Sequence, residues 1–355
     1  MKTIIPWEAK KPFHITIQHI NSLLSRLARR DKNLLSICFY CKYHNITGST
    51  VAIASIANNL ARYHNVDVYI EPLSGYSRLL NRGIRQYFSP DRMVGTIVFV
   101  DIEQESRNIE ALLHNNKRVI LSCHALPTIL HNVPQDKLAR NLELCSNIHF
   151  VSNYQRSAFI EHFPDIDIEE KSFWIPNYTR QSSKSNRTGN VGIIGHSNRP
   201  VKNTLKAIQL AQKSDAKSVQ CWGSDSVAGL KDISIYSKLV INGWADSIET
   251  MHLSFDVLIS TSKFETFGLV VVEALSAGIP CLLSDIPVFR ELFSGCEGVV
   301  FLTGNDKQDI ESINYLLANT PTLKKNIIEF WESNFSNDTI TTQWLSRLET
   351  LAHQA

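Results

Sequence analysis

The stretch SKFETFGLVVVEALSAGIPCLLSD, residues 262–285, gives the clearest indication of the fold. It follows FDVLIS (255–260), a nearly continuous apolar run that predicts a buried strand. A helix is expected to begin near residues 266–268, and Gly278-Ile279-Pro280 predict its end before the next strand. A buried strand, a helix and a second buried strand in this order are typical of parallel α/β folds.

Two glutamates in this stretch suggest a ligand site. Glu265 lies in the loop after the strand, and Glu273 lies eight residues on, about two turns into the helix. Both can face the crevice in which open α/β sheets bind ligands. Gly268 lets a ligand approach the backbone, and the N–H groups of the helix start favour an anion. This combination suits a sugar nucleotide; the alternative is an ordinary strand–loop–helix unit with two solvated glutamates.

Similar strands alternate with helical patterns along the chain and predict two doubly wound α/β domains. Residues 1–180 form the expected N-terminal domain, and residues 181–336 form the expected C-terminal domain. The polar stretch QSSKSNRTGN (181–190) is expected to link them. Residues 337–355 predict a C-terminal helix that packs back on the N-terminal domain. The predicted strands are NLLSICFY (33–40), NVDVYIE (65–71), GTIVFVD (95–101), KRVILSC (117–123), NIHFVS (147–152), NVGIIG (190–195), SVQCWG (218–223), KLVING (238–243), FDVLIS (255–260), GIPCLLS (278–284) and GVVFL (298–302).

Composition excludes several classes of protein. The 355 residues are 43% hydrophobic and 20% charged, which excludes a disordered chain, and no apolar run is long enough to span a membrane. Seven scattered cysteines fit free thiols, so we expect a cytoplasmic protein. Residues 1–180 hold 21 Lys/Arg and 16 Asp/Glu, whereas residues 181–355 hold 15 and 18. This asymmetry favours one anion-facing surface but is too mild for a dedicated nucleic-acid binder.

The 262–285 stretch resembles the signature of the retaining glycosyltransferases of family 4, which have the GT-B fold. That signature runs Ser, one or two residues, Glu-Gly-Phe-Gly, an apolar run, Glu-Ala and Gly-x-Pro. Thr266 stands where the family commonly has glycine. The resemblance implies two Rossmann-like domains with a cleft between them, the N-terminal one (1–180) binding the acceptor and the C-terminal one (181–336) binding the nucleotide sugar. It also implies a hexosyl transfer with retention that requires no metal. The matching residues are Ser262, Glu265, Phe267, Gly268, Leu269, Glu273, Ala274, Gly278 and Pro280.

The resemblance also implies a donor site in the C-terminal half. Lys202 matches a diphosphate-binding lysine, and His196 occupies the position of the family's arginine, with Arg199 three residues on. Whether His196 or Arg199 is the second cation stays open. Gly223 and Trp244 fall where the family contacts the nucleobase, although Trp244 is equally consistent with a packing role. Backbone amides at 267–269 would complete the phosphate site, Glu273 would accept from the ribose, and Glu265 and Lys202 would be catalytic.

The N-terminal half matches less closely. Gly48 resembles part of a glycine-rich turn near the donor phosphates, but only one glycine is present, and a simple strand–helix turn is the alternative. His124 matches a histidine that lines the sugar pocket in relatives and is a catalytic candidate; a structural histidine is the alternative. Ser152, Arg156 and Pro176-Asn177 also follow the family pattern, and we interpret them as architectural, with contact to a ligand as the alternative for Ser152 or Asn177 only.

Two metal motifs are considered and set aside. Asp165-Ile166-Asp167 lies before a strand rather than after one, and Cys38-x-x-Cys41 has no second ligand pair. We therefore expect no metal site.

Residues 76–92 place Arg78, Arg82 and Arg85 on one helical stripe with apolar neighbours, which predicts a basic amphipathic helix on an anionic membrane surface; a helix with one solvated face is the alternative.

The sequence therefore predicts a retaining transferase that moves a hexose from a nucleotide sugar to a saccharide or glycolipid acceptor in envelope polysaccharide synthesis. A UDP-sugar is favoured over a GDP-sugar on family prevalence, and we expect no cofactor and no nucleic-acid partner. An inactive GT-B homologue that stabilises a partner transferase is the first alternative. An epimerase on the same fold is the second, but the Glu-x7-Glu spacing belongs to the transferase pattern. The sugar, acceptor, linkage and oligomeric state are not specified by the sequence.

Overall fold

The computed structural model of the chain describes residues 31–40, 48–70, 78–81, 83–89, 94–130, 132–183, 186–245 and 247–353. Contacts divide the chain into two compact units. Unit 1 comprises Met1–Ile175 and Thr341–Ala355, and unit 2 comprises Pro176–Ile340. None of the described helices combines the length and the apolar character that a membrane span requires.

The described residues of unit 1 form a parallel sheet of seven strands in the order β3-β2-β1-β4-β5-β6-β7. Its inner strands are buried along most of their length because helices cover both faces, and this explains their continuous apolar sequence. The strands are β1 (Ser36–Tyr40), β2 (Asn65–Tyr69), β3 (Arg85–Tyr87), β4 (Ile97–Asp101), β5 (Arg118–Ser122), β6 (Ile148–Phe150) and β7 (Ser172–Trp174). The helices are α1 (Gly48–Leu60), α2 (Ser106–His114), α3 (Gln135–Leu144) and α4 (Asn153–His162), with a 3₁₀ turn at Pro127–Ile129.

In the part of unit 2 that the structure describes, six parallel strands form a sheet in the order β10-β9-β8-β11-β12-β13. The strands are β8 (Val191–Ile194), β9 (Val219–Trp222), β10 (Leu239–Gly243), β11 (Val257–Ser260), β12 (Cys281–Leu283) and β13 (Val299–Phe301). The helices are α5 (Thr204–Lys213), α6 (Ile248–His252), α7 (Leu269–Ser276), α8 (Pro287–Phe293) and α9 (Asp306–Phe335), with a 3₁₀ turn at Pro200–Lys202. Helix α10 (Asn337–His353) begins in unit 2 and continues into unit 1.

The part of α10 that belongs to unit 1 completes its core. The Trp344 ring is 1% exposed, and its centroid lies 5.3 Å from that of Phe99 and 4.7 Å from that of His149. Phe99 in turn stacks on Phe39 at 4.5 Å. Rings in edge and offset-stacked arrangements add to the free energy gained by burying their area. The helix is therefore part of the unit 1 core.

Within the polar stretch 181–190, the described residues 182, 188 and 189 are bonded to other parts of unit 2. The backbone N–H groups of Thr188 and Gly189 donate to the carboxylate of Asp256, which is fully buried just before β11. Ser182 pairs with the buried ring of His252 at 3.1 Å. These contacts fix where β8 begins relative to β11.

The predicted α/β class with two parallel sheets is confirmed. Each sheet is ordered 3-2-1-4-5-6 in its own strand numbering, with β7 added at the edge in unit 1. This is the doubly wound order in which the direction of winding reverses between the first and fourth strands. In unit 2 that switch point lies between β8 and β11, so the loops that follow these two strands lie above it.

Candidate functional site

The two loops at the unit 2 switch point are joined through their backbones. The N–H of Lys263, in the loop after β11, donates to the C=O of Val201 at 2.9 Å. The Thr261 hydroxyl donates to the C=O of Asn203 at 2.8 Å. Side chains on the two loops are therefore held close together, which sequence spacing alone does not require.

Lys202 and Glu265 form the centre of this cluster. Lys202 Nζ lies 2.6 Å from Glu265 Oε1, and the Ser262 hydroxyl donates to the same oxygen at 2.8 Å. The side chains of Lys202 and Glu265 are only 23% and 17% exposed. Solvent screens an ion pair with this little exposure only weakly. Removing either charge would therefore leave the other one poorly compensated.

Helix α7 begins at Leu269, directly after Gly268. Gly268 has φ +96°, and a Cβ there would lie 2.6 Å from Cε1 of Phe289, so both the backbone and the packing require glycine. The N–H groups of Leu269 and Val270 precede the first helical hydrogen bond, which runs from Val271 N–H to Gly268 C=O at 2.9 Å. The helix start thus offers backbone donors to an anion.

The two residues before Gly268 have different environments. The Phe267 side chain is 4% exposed and contacts the Phe335 ring, with centroids 5.9 Å apart, so it belongs to the unit 2 core. Only its backbone could reach a ligand. Thr266 is half-buried.

Glu273 lies on α7, one turn past the helix start. Burial raises the pKa of its carboxyl to about 7. Among the described residues none pairs with this carboxylate. A buried carboxyl without a partner is costly when ionised, and ligand hydroxyls that donate to it would lower that cost.

His196 and Trp244 contact each other at the ends of β8 and β10. Their ring centroids are 5.0 Å apart in an edge arrangement, and Trp244 is 65% exposed. Burial and the neighbouring charges of Arg199 and Lys202 lower the pKa of His196. Arg199 is exposed and its N–H donates to the His196 C=O at 2.9 Å, which closes a tight turn. Three basic side chains thus follow β8 within seven residues.

Gly223 directly follows β9, beside the same cluster. It has φ +103°, and a Cβ would lie 2.3 Å from the carbonyl oxygen of Gly195, the residue before His196. Its N–H donates to Gly243 C=O, the residue before Trp244. Gly223 therefore allows the ends of β8, β9 and β10 to meet.

In unit 1 two predicted residues lie at the carboxyl edge of the sheet. Gly48 is the first residue of α1, and an added Cβ would contact nothing among the described residues within 4 Å. His124 follows β5 and is partly exposed. Its Nε2 lies 3.0 Å from the Ser122 hydroxyl, and the same hydroxyl lies 3.0 Å from Nδ1 of His149. Burial and the nearby His149 lower the pKa of His124 to about 3.

The remaining motif residues have mainly structural contacts. The Ser152 hydroxyl accepts from Gln155 N–H at 3.1 Å and caps α4, and Arg156 donates to the Ser172 hydroxyl at 2.8 Å. Asn177 is 7% exposed, and its side-chain oxygen has no hydrogen-bond partner among the described residues. Asp165 is exposed, as is Asp167.

Across the described ranges no group of three or more His, Cys, Asp or Glu side chains is arranged to hold a metal ion. Cys38 is buried within β1, and Cys41 lies outside the described residues.

The predicted basic helix over residues 76–92 is wrong. Arg85 lies in strand β3, where its Nε contacts Asp67 Oδ1 on β2 at 3.0 Å, and both side chains are under 10% exposed. The stripe of arginines is therefore broken by a buried ion pair between neighbouring strands. Arg82 and residues 71–77 and 90–93 lie outside the described residues.

Three contributors were not predicted from the sequence: Ser122, His149 and the bond from Ser262 to Glu265. Ser122 and His149 sit inside apolar strands, where a polar residue among buried neighbours is the only available signal. Ser262 belongs to the signature, but its position in the sequence does not show which carboxylate its hydroxyl donates to.

Comparison with known proteins agrees with this architecture. Residues 233–330 match the family model described as glycosyl transferases group 1. The chain is 28% identical over 116 residues to the O-antigen biosynthesis glycosyltransferase WclY of Escherichia coli. That match covers 32% of this chain, and it spans about a third (32%) of the length of WclY.

Solved structures match over most of the chain. HepE of Anabaena, solved in complex with UDP, has a TM-score of 0.73 at 16% identity, covering 89% of this chain and 100% of that one. Sucrose-phosphate synthase of Thermosynechococcus elongatus has a TM-score of 0.70 at 14% identity, covering 90% and 100%. The lipopolysaccharide outer core galactosyltransferase WaaB has a TM-score of 0.65 at 12% identity, covering 88% and 99%. The chain thus has the GT-B fold of the glycosyltransferases, and its residues 233–330 carry the group 1 glycosyl transferase pattern.

Proposed function

We propose that the protein is a retaining glycosyltransferase that moves a hexose from a nucleotide sugar, a UDP-sugar before a GDP-sugar, to a saccharide or glycolipid acceptor in envelope polysaccharide synthesis. The observation that carries the proposal is the Lys202–Glu265 pair at the unit 2 switch point, beside the start of α7. The group 1 match, the similarity to WclY and the UDP complex of HepE support it.

Lys202 would neutralise the diphosphate of the donor. Departure of the nucleoside diphosphate concentrates negative charge on the leaving oxygen, so catalysis needs cations and donors already in place. Lys202, the α7 amides and either His196 or Arg199 would supply them in a cytoplasmic enzyme without a metal. Each charge-assisted hydrogen bond is worth about 1.5–3 kcal/mol.

The two glutamates would then have separate roles. Glu273 would accept from the ribose hydroxyls, and Glu265 would hold sugar hydroxyls and support the positive charge that develops on the anomeric carbon. Gly223 and Trp244 would border the base, and His124 in unit 1 would contact the sugar. In front-face attack, the departing phosphate takes the acceptor proton as the new glycosidic bond forms, and configuration is retained.

Calorimetric titration tests the donor site. UDP, GDP, ADP and CMP are titrated in EDTA into the wild type, Glu273→Ala and Lys202→Gln. We expect one nucleotide to bind the wild type, with affinity reduced about ten- to a hundredfold in Lys202→Gln. Lys206→Gln is the matched control, because Lys206 lies in the next turn and pairs with Asp306 away from the cluster.

Absence of binding by all four nucleotides would contradict the proposal. It would favour the alternative of an inactive homologue that stabilises a partner transferase. If transfer is detected, NMR of the anomeric proton in the product tests retention, and an inverted product would contradict that part.

A further inference from the structure

A chain of three hydrogen bonds leads from the unit 1 core to His124. Nε2 of His149 lies 3.0 Å from the carbonyl oxygen of Ile175. Nδ1 of the same ring lies 3.0 Å from the Ser122 hydroxyl, which lies 3.0 Å from Nε2 of His124. The order of donors along this chain is determined at its inner end.

The Ile175 carbonyl can only accept, so the proton of His149 is on Nε2. His149 is fully buried, and burial lowers its pKa to about 4, so the ring is neutral at pH 7. Its Nδ1 therefore carries a lone pair and accepts the hydrogen of the Ser122 hydroxyl. The Trp344 ring, 4.7 Å from the ring of His149, limits reorientation of the imidazole.

The Ser122 hydroxyl has a single hydrogen, and it donates this hydrogen to Nδ1 of His149. Ser122 Oγ therefore accepts from His124, and the proton of His124 is on Nε2. His124 is neutral too, so its Nδ1 is a hydrogen-bond acceptor. No described residue bonds to that nitrogen, and the side chain is partly exposed.

We propose that Ser122 and His149 are positioning residues that hold His124 in the neutral Nε2–H tautomer, so that its Nδ1 accepts from a hydroxyl of the transferred sugar. This rests on the proposed function for the identity of the ligand. An acceptor nitrogen at this point selects a group that carries hydrogen, such as a hydroxyl, and disfavours a carboxylate.

The tautomer is measured directly by two-dimensional ¹H–¹⁵N NMR of imidazole nitrogens in the full-length protein at pH 7. The His124 signals are assigned by their loss in His124→Gln. We expect the protonated nitrogen to be Nε2 in the wild type. In Ser122→Ala and in His149→Phe, which keeps a ring against Trp344, we expect two tautomers. A proton on Nδ1 in the wild type, or an unchanged tautomer in both variants, would overturn the proposal.

Kinetics test the presentation of Nδ1 to the sugar. Ser122→Ala is expected to lower kcat about two- to tenfold while UDP affinity stays unchanged, and Ser122→Thr is expected to restore kcat. Ser172→Ala is the control, because it removes a strand hydroxyl elsewhere in the same sheet. An unchanged kcat in Ser122→Ala would overturn this step. If no nucleotide binds, the proposed function fails, and the NMR result still decides the tautomer.

Discussion

Lys202 and Glu265 are bonded to each other, with 2.6 Å between Nζ and Oε1, although each is a candidate for direct contact with the donor. The lysine charge is thus partly neutralised before any diphosphate arrives. A bound nucleotide has to compete with Glu265 for the ammonium group. The effect of Glu265 on nucleotide binding can therefore be measured separately from its effect on transfer.

Replacement of Glu265 by Gln should tighten nucleotide binding and abolish most transfer. The neutral amide leaves the charge of Lys202 fully available to the diphosphate. We therefore expect UDP affinity to rise about three- to tenfold, which corresponds to the interaction free energy of a weakly screened charge pair. We expect transfer to fall at least a hundredfold. Calorimetry and a transfer assay measure the two quantities, with Glu297→Gln as a surface control. Weaker UDP binding in Glu265→Gln would show that Glu265 itself helps to hold the nucleotide.

Glu273 should make stability depend on pH. Its folded-state pKa of about 7 lies above the ordinary value of 4.5. The folded protein therefore keeps a proton that the unfolded chain loses, and this stabilisation is present below pH 4.5 and lost as the pH rises through 7. The difference corresponds to about 3 kcal/mol. Thermal unfolding of Glu273→Gln and wild type should show the variant gaining relative stability between pH 5 and pH 8. Parallel curves would contradict the elevated pKa.

His196 should take up a proton when a nucleoside diphosphate binds. Its pKa in the free protein is lowered by burial and by Arg199 and Lys202, and a diphosphate would favour the charged ring. In a Glu273→Gln background, which removes the opposing titration, we expect UDP affinity to increase as the pH falls below the ordinary histidine pKa of 6.5. Calorimetry in buffers of different ionisation enthalpy counts the protons. His196→Arg should keep the affinity and remove the uptake; uptake that persists in this variant would assign it to another group.

Gly268 and Gly48 should respond to alanine in opposite ways. At Gly268 the left-handed backbone and the 2.6 Å approach to Phe289 make a Cβ costly, about 2–4 kcal/mol of unfolding free energy. At Gly48, the first residue of α1, a Cβ would meet no described residue within 4 Å, and alanine is expected to stabilise the protein by about 0.4–1 kcal/mol because it restricts the unfolded chain.

Gly48→Ala therefore isolates function from folding. If a ligand approaches the backbone at the start of α1, activity should fall while the melting temperature is maintained or raised. Unchanged activity would assign Gly48 to the simple strand–helix turn. Differential scanning calorimetry and a transfer assay on the same preparations make the comparison.

The sequence predicted what depends on local pattern. The structure contains the strand predicted at 255–260, the helix after it and the next buried strand. Their sequences were recognisable because a parallel strand is covered on both faces and is therefore apolar along its length. The resemblance placed Lys202 and Glu265 in one site, and the structure adds that they are bonded to each other.

The parts that could not be predicted depend on pairing between distant segments. Arg85 fits a helical stripe when only its neighbours in sequence are considered, but its partner is Asp67, eighteen residues away on the adjacent strand. Likewise, the protonation and orientation of His149 depend on Ile175, Ser122 and Trp344, which contact it from three separate segments of the chain. Periodicity carries no information about such contacts.

The placement of Trp344 has a consequence for the order of events during synthesis. The segment that covers Phe99 and His149 is translated only after all of unit 2, residues 176–340. Throughout that interval the rings of Phe99 and His149 lack their contacts with Trp344. On the ribosome, unit 2 can therefore close its core before unit 1 does, and chaperones would meet unit 1 as the later-folding half of the chain.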